Sequence, residues 1–370
     1  MHIGILTFHA SFNYGSMLQA WAMQRWLANE GHTSAFIDFR PSRQAVMYAN
    51  PLHVHSVRQA ARLLYNTAKY GRGYLSKSRR WKRYNAFLDN MLAKTVRCDD
   101  IGKIREVSSQ FDAIIFGSDQ IWNTCAVDFS EAYLGTTVPD SVPRIAYAPS
   151  FGPFPDRIDT DIFRGALQKF RAISVREQLT ADFIRAKGLY DNDMSVVVDP
   201  TFLIPRSDYE TIAGKGMIPV DGEYMYYYTP SGNTAFIDAA RNEATRLNLP
   251  LVIDTGYSTV RRQYKDAIYV DNAGPLEFIN LIRNARYVVA SSFHAIVFSI
   301  IFNKEFTALN GDSDSRKSNI LQALGLTSRS YSMTDNSIRP SERMIDYKDV
   351  SGRLHDLIDD AEKYLRQNLY

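Results

Sequence analysis

The sequence predicts an α/β fold: two Rossmann-like halves facing across a cleft, with a C-terminal closing helix. Three observations carry this. Short apolar runs of strand length alternate with helical patterns from residue 3 onward, the rhythm of a parallel sheet covered by helices. That rhythm pauses between Pro200 and Pro205 and restarts at Tyr224. The chain has 370 residues, which suits about two domains. The expected division is 1–204 and 205–335, followed by a tail, 336–370, packed back on the body.

The first strand is Ile3-Gly-Ile-Leu-Thr-Phe8, followed by a polar turn, Ser11-Phe-Asn-Tyr-Gly15. Met17, Leu18, Trp21, Ala22, Leu27 and Ala28 then recur at helical spacing, and Ser34-Ala-Phe-Ile-Asp38 is the second strand. This βαβ opening requires a parallel sheet, and its turn lies at the strand's carboxyl end, where ligands bind in open α/β sheets. It is not a GxGxxG turn, so NAD is not indicated. Residues 53–97 read as helices carrying a basic run, Lys77-Ser-Arg-Arg-Trp-Lys-Arg83. The plain reading of that run is a solvated helix face. The sharper one is contact with an anionic substrate or with the inner membrane surface. Buried strands follow at 111–116, 144–148, 172–176 and 195–199, with helical patterns at 162–171 and 178–187. In the second half, strands are expected at 224–228, 251–254, 268–270, 287–290 and 306–309. Helices are expected up to about Leu247, then from Pro275 to Ile282, Ala295 to Phe302, Ser315 to Leu324, and along the tail.

Composition narrows the function. Of the residues, 45% are apolar and 22% charged, ordinary for a globular chain. The 43 basic residues nearly balance the 40 acidic ones, which argues against a general nucleic-acid binder. Two cysteines support neither a disulfide framework nor a zinc site. The start, MHIGILTFHA, lacks the features of a signal peptide, and 287–302 is too short and too interrupted to span a bilayer. A cytoplasmic location is expected.

Four places could carry chemistry. Ser291-Ser292-Phe293-His294 lies between a strand and a helix, where free N–H groups bind anions such as phosphate. His294 can act there as acid or base, or it can be a packed histidine under the helix. His9 is the second candidate, whereas His32, His53, His55 and His355 read as surface residues. Arg176 ends a strand and could clamp a carboxylate or phosphate, or pair with a neighbouring acid. Asp199-Pro200 reads slightly better as a turn. Gly117-Ser-Asp-Gln-Ile-Trp-Asn123 offers side chains suited to sugar hydroxyls and, in Trp122, a flat apolar face; the alternative is a structured loop. Asp312-Ser-Asp314 reads better as helix-start acids than as a metal site, and Arg316 follows it. No metal or cofactor is expected.

In order and spacing these motifs resemble the polysaccharide pyruvyl transferase family. The features are Asn13-Tyr-Gly-Ser-Met-Leu-Gln-Ala20, Gly117–Asn123, Tyr147-Ala-Pro-Ser-Phe-Gly152, Ser174-Val-Arg-Glu177, Val198-Asp-Pro-Thr201, Gly274-Pro-Leu-Glu-Phe278, Ser291-Ser-Phe-His294, and Arg316 with Leu321-Gln-Ala-Leu-Gly-Leu326. The resemblance implies a GT-B-like fold. It also implies transfer of pyruvyl from phosphoenolpyruvate to two hydroxyls of a sugar, for capsule, exopolysaccharide or cell-wall polymer synthesis. His294 would be catalytic, and Arg176 would bind the donor. Ser291, Ser292 and Arg316 would hold the donor's anionic groups. Asn13, Tyr14, Asp119, Gln120, Trp122 and Asn123 would face the acceptor, with a free, a nucleotide-linked and a lipid-linked sugar all open. The family motif usually continues with glycine after the histidine, and here Ala295 stands instead. The competing expectations are a nucleotide-sugar glycosyltransferase of the same architecture and an inactive glycan-binding relative.

Overall fold

The computed structural model describes residues 1–50, 54, 56–70, 72–153, 158–214, 221–230, 236–254, 264–332 and 343–369. Two six-stranded sheets, parallel throughout, organise it. The first contains β1 (His2–Leu6), β2 (Thr33–Phe36), β3 (Ala113–Phe116), β4 (Arg144–Ala146), β5 (Ala172–Val175) and β6 (Met194–Val196). Its order is β2-β1-β3-β4-β5-β6. The second contains β7 (Met225–Tyr228), β8 (Leu251–Asp254), β9 (Ile268–Val270), β10 (Tyr287–Ala290), β11 (Glu305–Leu309) and β12 (Ser330–Tyr331), in the order β12-β11-β10-β7-β8-β9. Strands β3, β7, β8 and β10 are buried along their whole length, which is why they read as unbroken apolar runs. The order in which successive strands are added reverses between β1 and β3 in the first sheet and between β7 and β10 in the second. In open α/β sheets such switch points are where ligands bind.

The helices are α1 (Tyr14–Asn29), α2 (Ser42–Met47), α3 (Val57–Tyr70), α4 (Arg72–Met91), α5 (Ile101–Ser108), α6 (Gln178–Ala186), α7 (Arg206–Ala213), α8 (Ile237–Arg246), α9 (Pro275–Asn284), α10 (Phe293–Ile301), α11 (Ser315–Ala323) and α12 (Tyr347–Leu369). Helix α1 is buried on nearly every side because it lies between the halves, packing on α9 and α10. One apolar core therefore runs from Ile3 and Met17 to Phe278, Phe298 and Leu365. Helix α12 starts against the second half, where the Tyr347 hydroxyl donates to the Lys304 carbonyl. It ends on the first, with the Tyr364 hydroxyl donating to Ala146 O at 2.9 Å and Arg366 paired with Glu30 at 2.8 Å.

Most expected elements are present within one to three residues of their expected ends. The helix expected over 162–171 is instead two short 3₁₀ turns, Asp161–Phe163 and Leu167–Lys169. Gly165 between them has φ +77°, a left-handed conformation that breaks a helix. His32 is buried rather than on the surface, because the turn after α1 tucks it against the amino terminus, 3.4 Å from its Nδ1. His53, His55 and residues 231–233, which follow the strand expected at 224–228, lie outside the described residues.

Candidate active site

The amino end of α1 joins the two switch points. Asn13 caps the helix, its Oδ1 accepting from Gly15 N at 3.0 Å and Ser16 N at 3.4 Å. Gly15 lies directly under the His294 ring, and a Cβ built there would sit 1.9 Å from Nδ1. Ser16 Oγ donates to Asp119 Oδ2 at 2.5 Å. Asp119 follows β3 in a left-handed turn, φ +73°, after a cis Gly117–Ser118 bond.

Arg176 is the hub of the site. Its Nε donates to Glu177 Oε1 at 3.1 Å and its Nη1 to Asp199 Oδ2 at 2.7 Å. The guanidinium also lies 4.5 Å from the Phe293 ring centre. Nη2 is 4.0 Å from Asp119 Oδ1, beyond hydrogen-bond reach, and has no hydrogen-bond partner. His294 Nε2 is 3.6 Å from Asp199 Oδ2 and is equally unpartnered. Both nitrogens are buried. Buried polar atoms are nearly always satisfied, so two orphans beside one carboxylate mark a place for a ligand.

Asp199 anchors both. Its Oδ1 accepts from Thr201 N at 3.1 Å and from Thr201 Oγ1 at 2.7 Å. It is thus both the turn former expected from Asp-Pro and a site residue. Burial alone would push the Asp199 carboxyl up, but His294, Arg176 and the Thr201 amide together hold it well below its ordinary value. At Glu177 the same burial prevails, and its carboxyl is raised despite Arg176.

On the opposite wall, Ser292 is the N-cap of α10 but makes no side-chain hydrogen bond into the helix, so its hydroxyl does not occupy the first-turn amides. Ser291 Oγ donates to Thr229 Oγ1 at 3.1 Å. The methyl group of Ala295 packs into the core and takes no place at the helix start. Arg316 is held by Asp314 in a two-pronged pair, 2.9 and 2.7 Å, and Asp314 also caps α11. Lys317, not among the expected site residues, donates to Ser291 O at 3.1 Å and Leu309 O at 2.6 Å. Burial pushes its ammonium down to about 8, with Asp314 opposing. Its only sequence cue was its place three residues after the capping Asp314.

Several expected site residues are placed elsewhere. Trp122 is fully buried, its Nε1 donating to Tyr133 O at 3.2 Å, so its ring cannot meet a sugar. Tyr14 is buried between Tyr84 and Phe278. Its hydroxyl donates to Asp254 Oδ2 at 3.0 Å, which makes it a joint between the halves rather than an open face. Asn123 Nδ2 donates to Gln120 Oε1 at 3.0 Å, and both side chains pack against Gly152, whose φ is +82°. His9 faces away from the cleft, bonded to Thr7 O and to Asp38 at 3.0 Å.

The basic run is also redirected. Arg80 is buried and pairs with Asp254 Oδ1 at 3.1 Å, and Asp254 accepts from Tyr226 Oη at 3.1 Å as well. Arg83 donates to Asn272 O at 2.7 Å and lies 3.3 Å from Glu277. These two side chains tie α4 to the second half, while Arg79 and Lys82 of the same run are exposed on its solvent side. Helical position explains this: Arg80 shares its face with the buried Tyr84 and Phe87.

The polysaccharide pyruvyl transferase family model matches residues 13–313 of this chain. The chain belongs to that family. The match begins at the Asn13 cap and runs past His294 to the residue before Asp314, so it takes in the parts of the pyruvyl transferase site on both sheets. No curated protein sequence matches the chain. Among solved structures, the fold resembles UDP-GlcNAc 2-epimerase from Methanocaldococcus jannaschii, with 10% identity, TM-score 0.51, and coverage of 97% of this chain and 93% of that one. It also resembles UDP-GlcNAc 2-epimerase from Neisseria meningitidis bound to UDP-GlcNAc, with 9% identity, TM-score 0.51, and coverage of 98% and 93%. At that identity the likeness establishes only the two-domain GT-B-like fold of this pyruvyl transferase. Among the described residues no cluster of His, Cys, Asp or Glu is arranged to hold a metal ion, and no helix is long and apolar enough to cross a membrane.

Proposed function

We propose that the protein transfers the pyruvyl group of phosphoenolpyruvate to two hydroxyls of a sugar residue, forming a cyclic ketal and releasing phosphate. The observation that carries this is the pair of buried, unpartnered nitrogens, Arg176 Nη2 and His294 Nε2, flanking Asp199 beside the amino end of α10. Phosphoenolpyruvate carries a phosphate and a carboxylate. A helix start and a guanidinium N–H suit those groups.

The chemistry needs one proton delivered to carbon and one removed from oxygen. The first sugar hydroxyl adds to C2 of the enol while a proton goes to C3, which becomes the methyl group. The C2–O bond to phosphate then breaks, and phosphate leaves with the bonding pair. The second hydroxyl closes the ketal, and its proton leaves with phosphate. In this reading His294, beside Asp199, delivers the proton to C3 and accepts one from the attacking hydroxyl. Asp199 steadies the imidazolium, and Arg176 holds the donor's anion. Ser291, Ser292 and Arg316 line the donor side. Asn13 and the Ser16–Asp119 pair line the acceptor side. The acceptor belongs to a capsule, exopolysaccharide or cell-wall polymer precursor, free or lipid-linked, handled in the cytoplasm where the donor is made.

Phosphate release from phosphoenolpyruvate against a panel of sugar acceptors, with mass detection of the ketal, tests the proposal. His294→Gln is expected to lower turnover by about 10²–10⁴-fold, and near-normal turnover in that variant sinks the assignment. Thermal protection separates the nucleotide-sugar alternative. A ligand at 100 times its Kd stabilises by about 2.7 kcal/mol, so phosphoenolpyruvate should protect and UDP or GDP should not.

A further inference from the structure

Eleven of the chain's 43 basic residues, and none of its 40 acidic ones, lie between residues 39 and 88. The same stretch is where apolar side chains are left uncovered. Of the thirteen large apolar side chains exposed among the described residues, six fall within 46–65: Val46, Met47, Val54, Val57, Leu64 and Tyr65. Val46 is 79% exposed, Val57 88% and Leu64 72%. In α3, Val57, Ala61, Leu64 and Ala68 are spaced i, i+4, i+7 and i+11, and all four are exposed, so they form one outward stripe. Arg58 and Arg62, also exposed, lie one position on and flank it. The side of α3 next to the stripe and away from the arginines, at Ala60, Leu63 and Thr67, is half-buried.

The geometry points to this face of α2 and α3 as a docking surface for an anionic lipid bilayer. A helix with an apolar stripe and a cationic flank lies in the plane of the interface. Its apolar side enters the acyl boundary and its guanidinium groups reach the headgroups. Charge complementarity selects the occupant. A second copy seated by two-fold symmetry would set this patch against itself, with no acid between residues 39 and 88 to answer Arg58 and Arg62. A bilayer rich in anionic headgroups answers every one. The surface is also coupled to the cleft wall. Gln44 of α2 donates to Ser11 Oγ at 3.1 Å, and Trp81 of α4 donates to Tyr48 O at 2.9 Å. Arg80 pairs with Asp254 from the same α4. Docking therefore holds the acceptor side of the cleft beside the membrane, where a lipid-linked sugar would be presented. The membrane contact expected from Lys77–Arg83 is thus moved to a different face, since Arg80 and Arg83 of that run point inward.

The test is flotation of the full chain with vesicles of phosphatidylcholine containing about 30% phosphatidylglycerol, and with phosphatidylcholine alone, at several salt concentrations. The wild type should float with the anionic vesicles and not with the neutral ones, and should be released by high salt. V57D/L64D and R58E/R62E should each lower the bound fraction at least tenfold with unchanged thermal unfolding, because all four side chains are exposed. M344D, at an exposed apolar position beside β11 of the second sheet and away from this face, should float like the wild type. No flotation of the wild type, equal flotation with neutral vesicles, or unimpaired flotation of both double variants overturns the proposal. So does a dimer in light scattering that V57D/L64D dissolves, because a second copy then covers the face. Vesicle binding is read without turnover. Protein that floats but releases no phosphate leaves this surface standing and counts against the pyruvyl transfer alone.

Discussion

Gly15→Ala perturbs the site without removing any reacting group. The added Cβ would sit 1.9 Å from His294 Nδ1 and 2.1 Å from Cγ. Ordinary van der Waals contact begins near 3.4 Å, so ring and helix must separate by about 1.5 Å. The ring is boxed in by Phe293, at 5.1 Å between ring centres, and is buried, so it cannot swing away freely. A misplacement of about 1 Å in a catalytic group costs roughly 10²-fold, or about 2.7 kcal/mol of transition-state stabilisation. Stability should change less. Overpacking costs about 1–3 kcal/mol, while alanine gains about 1 kcal/mol over glycine inside a helix. The assay is kcat/KM for phosphate release, paired with thermal unfolding. A loss near 10²-fold with a shift of only a few degrees is expected. Adding Gly15→Ala to His294→Gln should cost almost nothing further, because both act through one ring. A Gly15→Ala protein within about threefold of wild-type kcat/KM refutes the placement of His294 at the reacting centre.

Arg80→Met should destabilise by about 3–5 kcal/mol in urea unfolding, because it strands the Asp254 carboxylate in the core, while Arg80→Met with Asp254→Leu should recover most of the loss. Asp38 and Asp199 have carboxyls held below their ordinary values; burial opposes this, but His9 and Arg40 at the first and His294 and Arg176 at the second outweigh it. Groups with depressed folded pKa contribute stability above about pH 4 and lose it as pH falls, so the urea midpoint should drop steeply below pH 4, and less so in Asp38→Asn. Ser16→Ala removes the hydrogen bond to the Asp119 carboxylate and should cost about 1.5–3 kcal/mol of stability, with a larger effect on acceptor KM than on donor KM.

The legible part of the site was positional. Strand ends at Arg176 and His294 could be read because buried parallel strands are continuous apolar runs, and the residue after such a run must emerge at the sheet's edge. The Gly117–Asn123 loop was legible as a turn but not in its orientation. Nothing in the spacing shows that Trp122 turns inward to Tyr133 while Asp119 turns outward to Ser16. The basic run misled for a similar reason. Its charges suggested a uniform face, but a helix has several, and packing on the second half selected Arg80 for burial.

By itself, the sequence determined the alternation of strands and helices, the restart after Pro205, and the family, because these depend on local periodicity and on motifs short enough to be read in order. Only the tertiary structure decided which charges meet. Arg176 and Asp199 lie 23 residues apart, His294 and Gly15 come from opposite halves, and Arg80 and Asp254 lie 174 residues apart. Such pairs have no period in the chain. They are set by the packing of α1 between two sheets, where a buried carboxylate must find its partner wherever the fold brings one within reach.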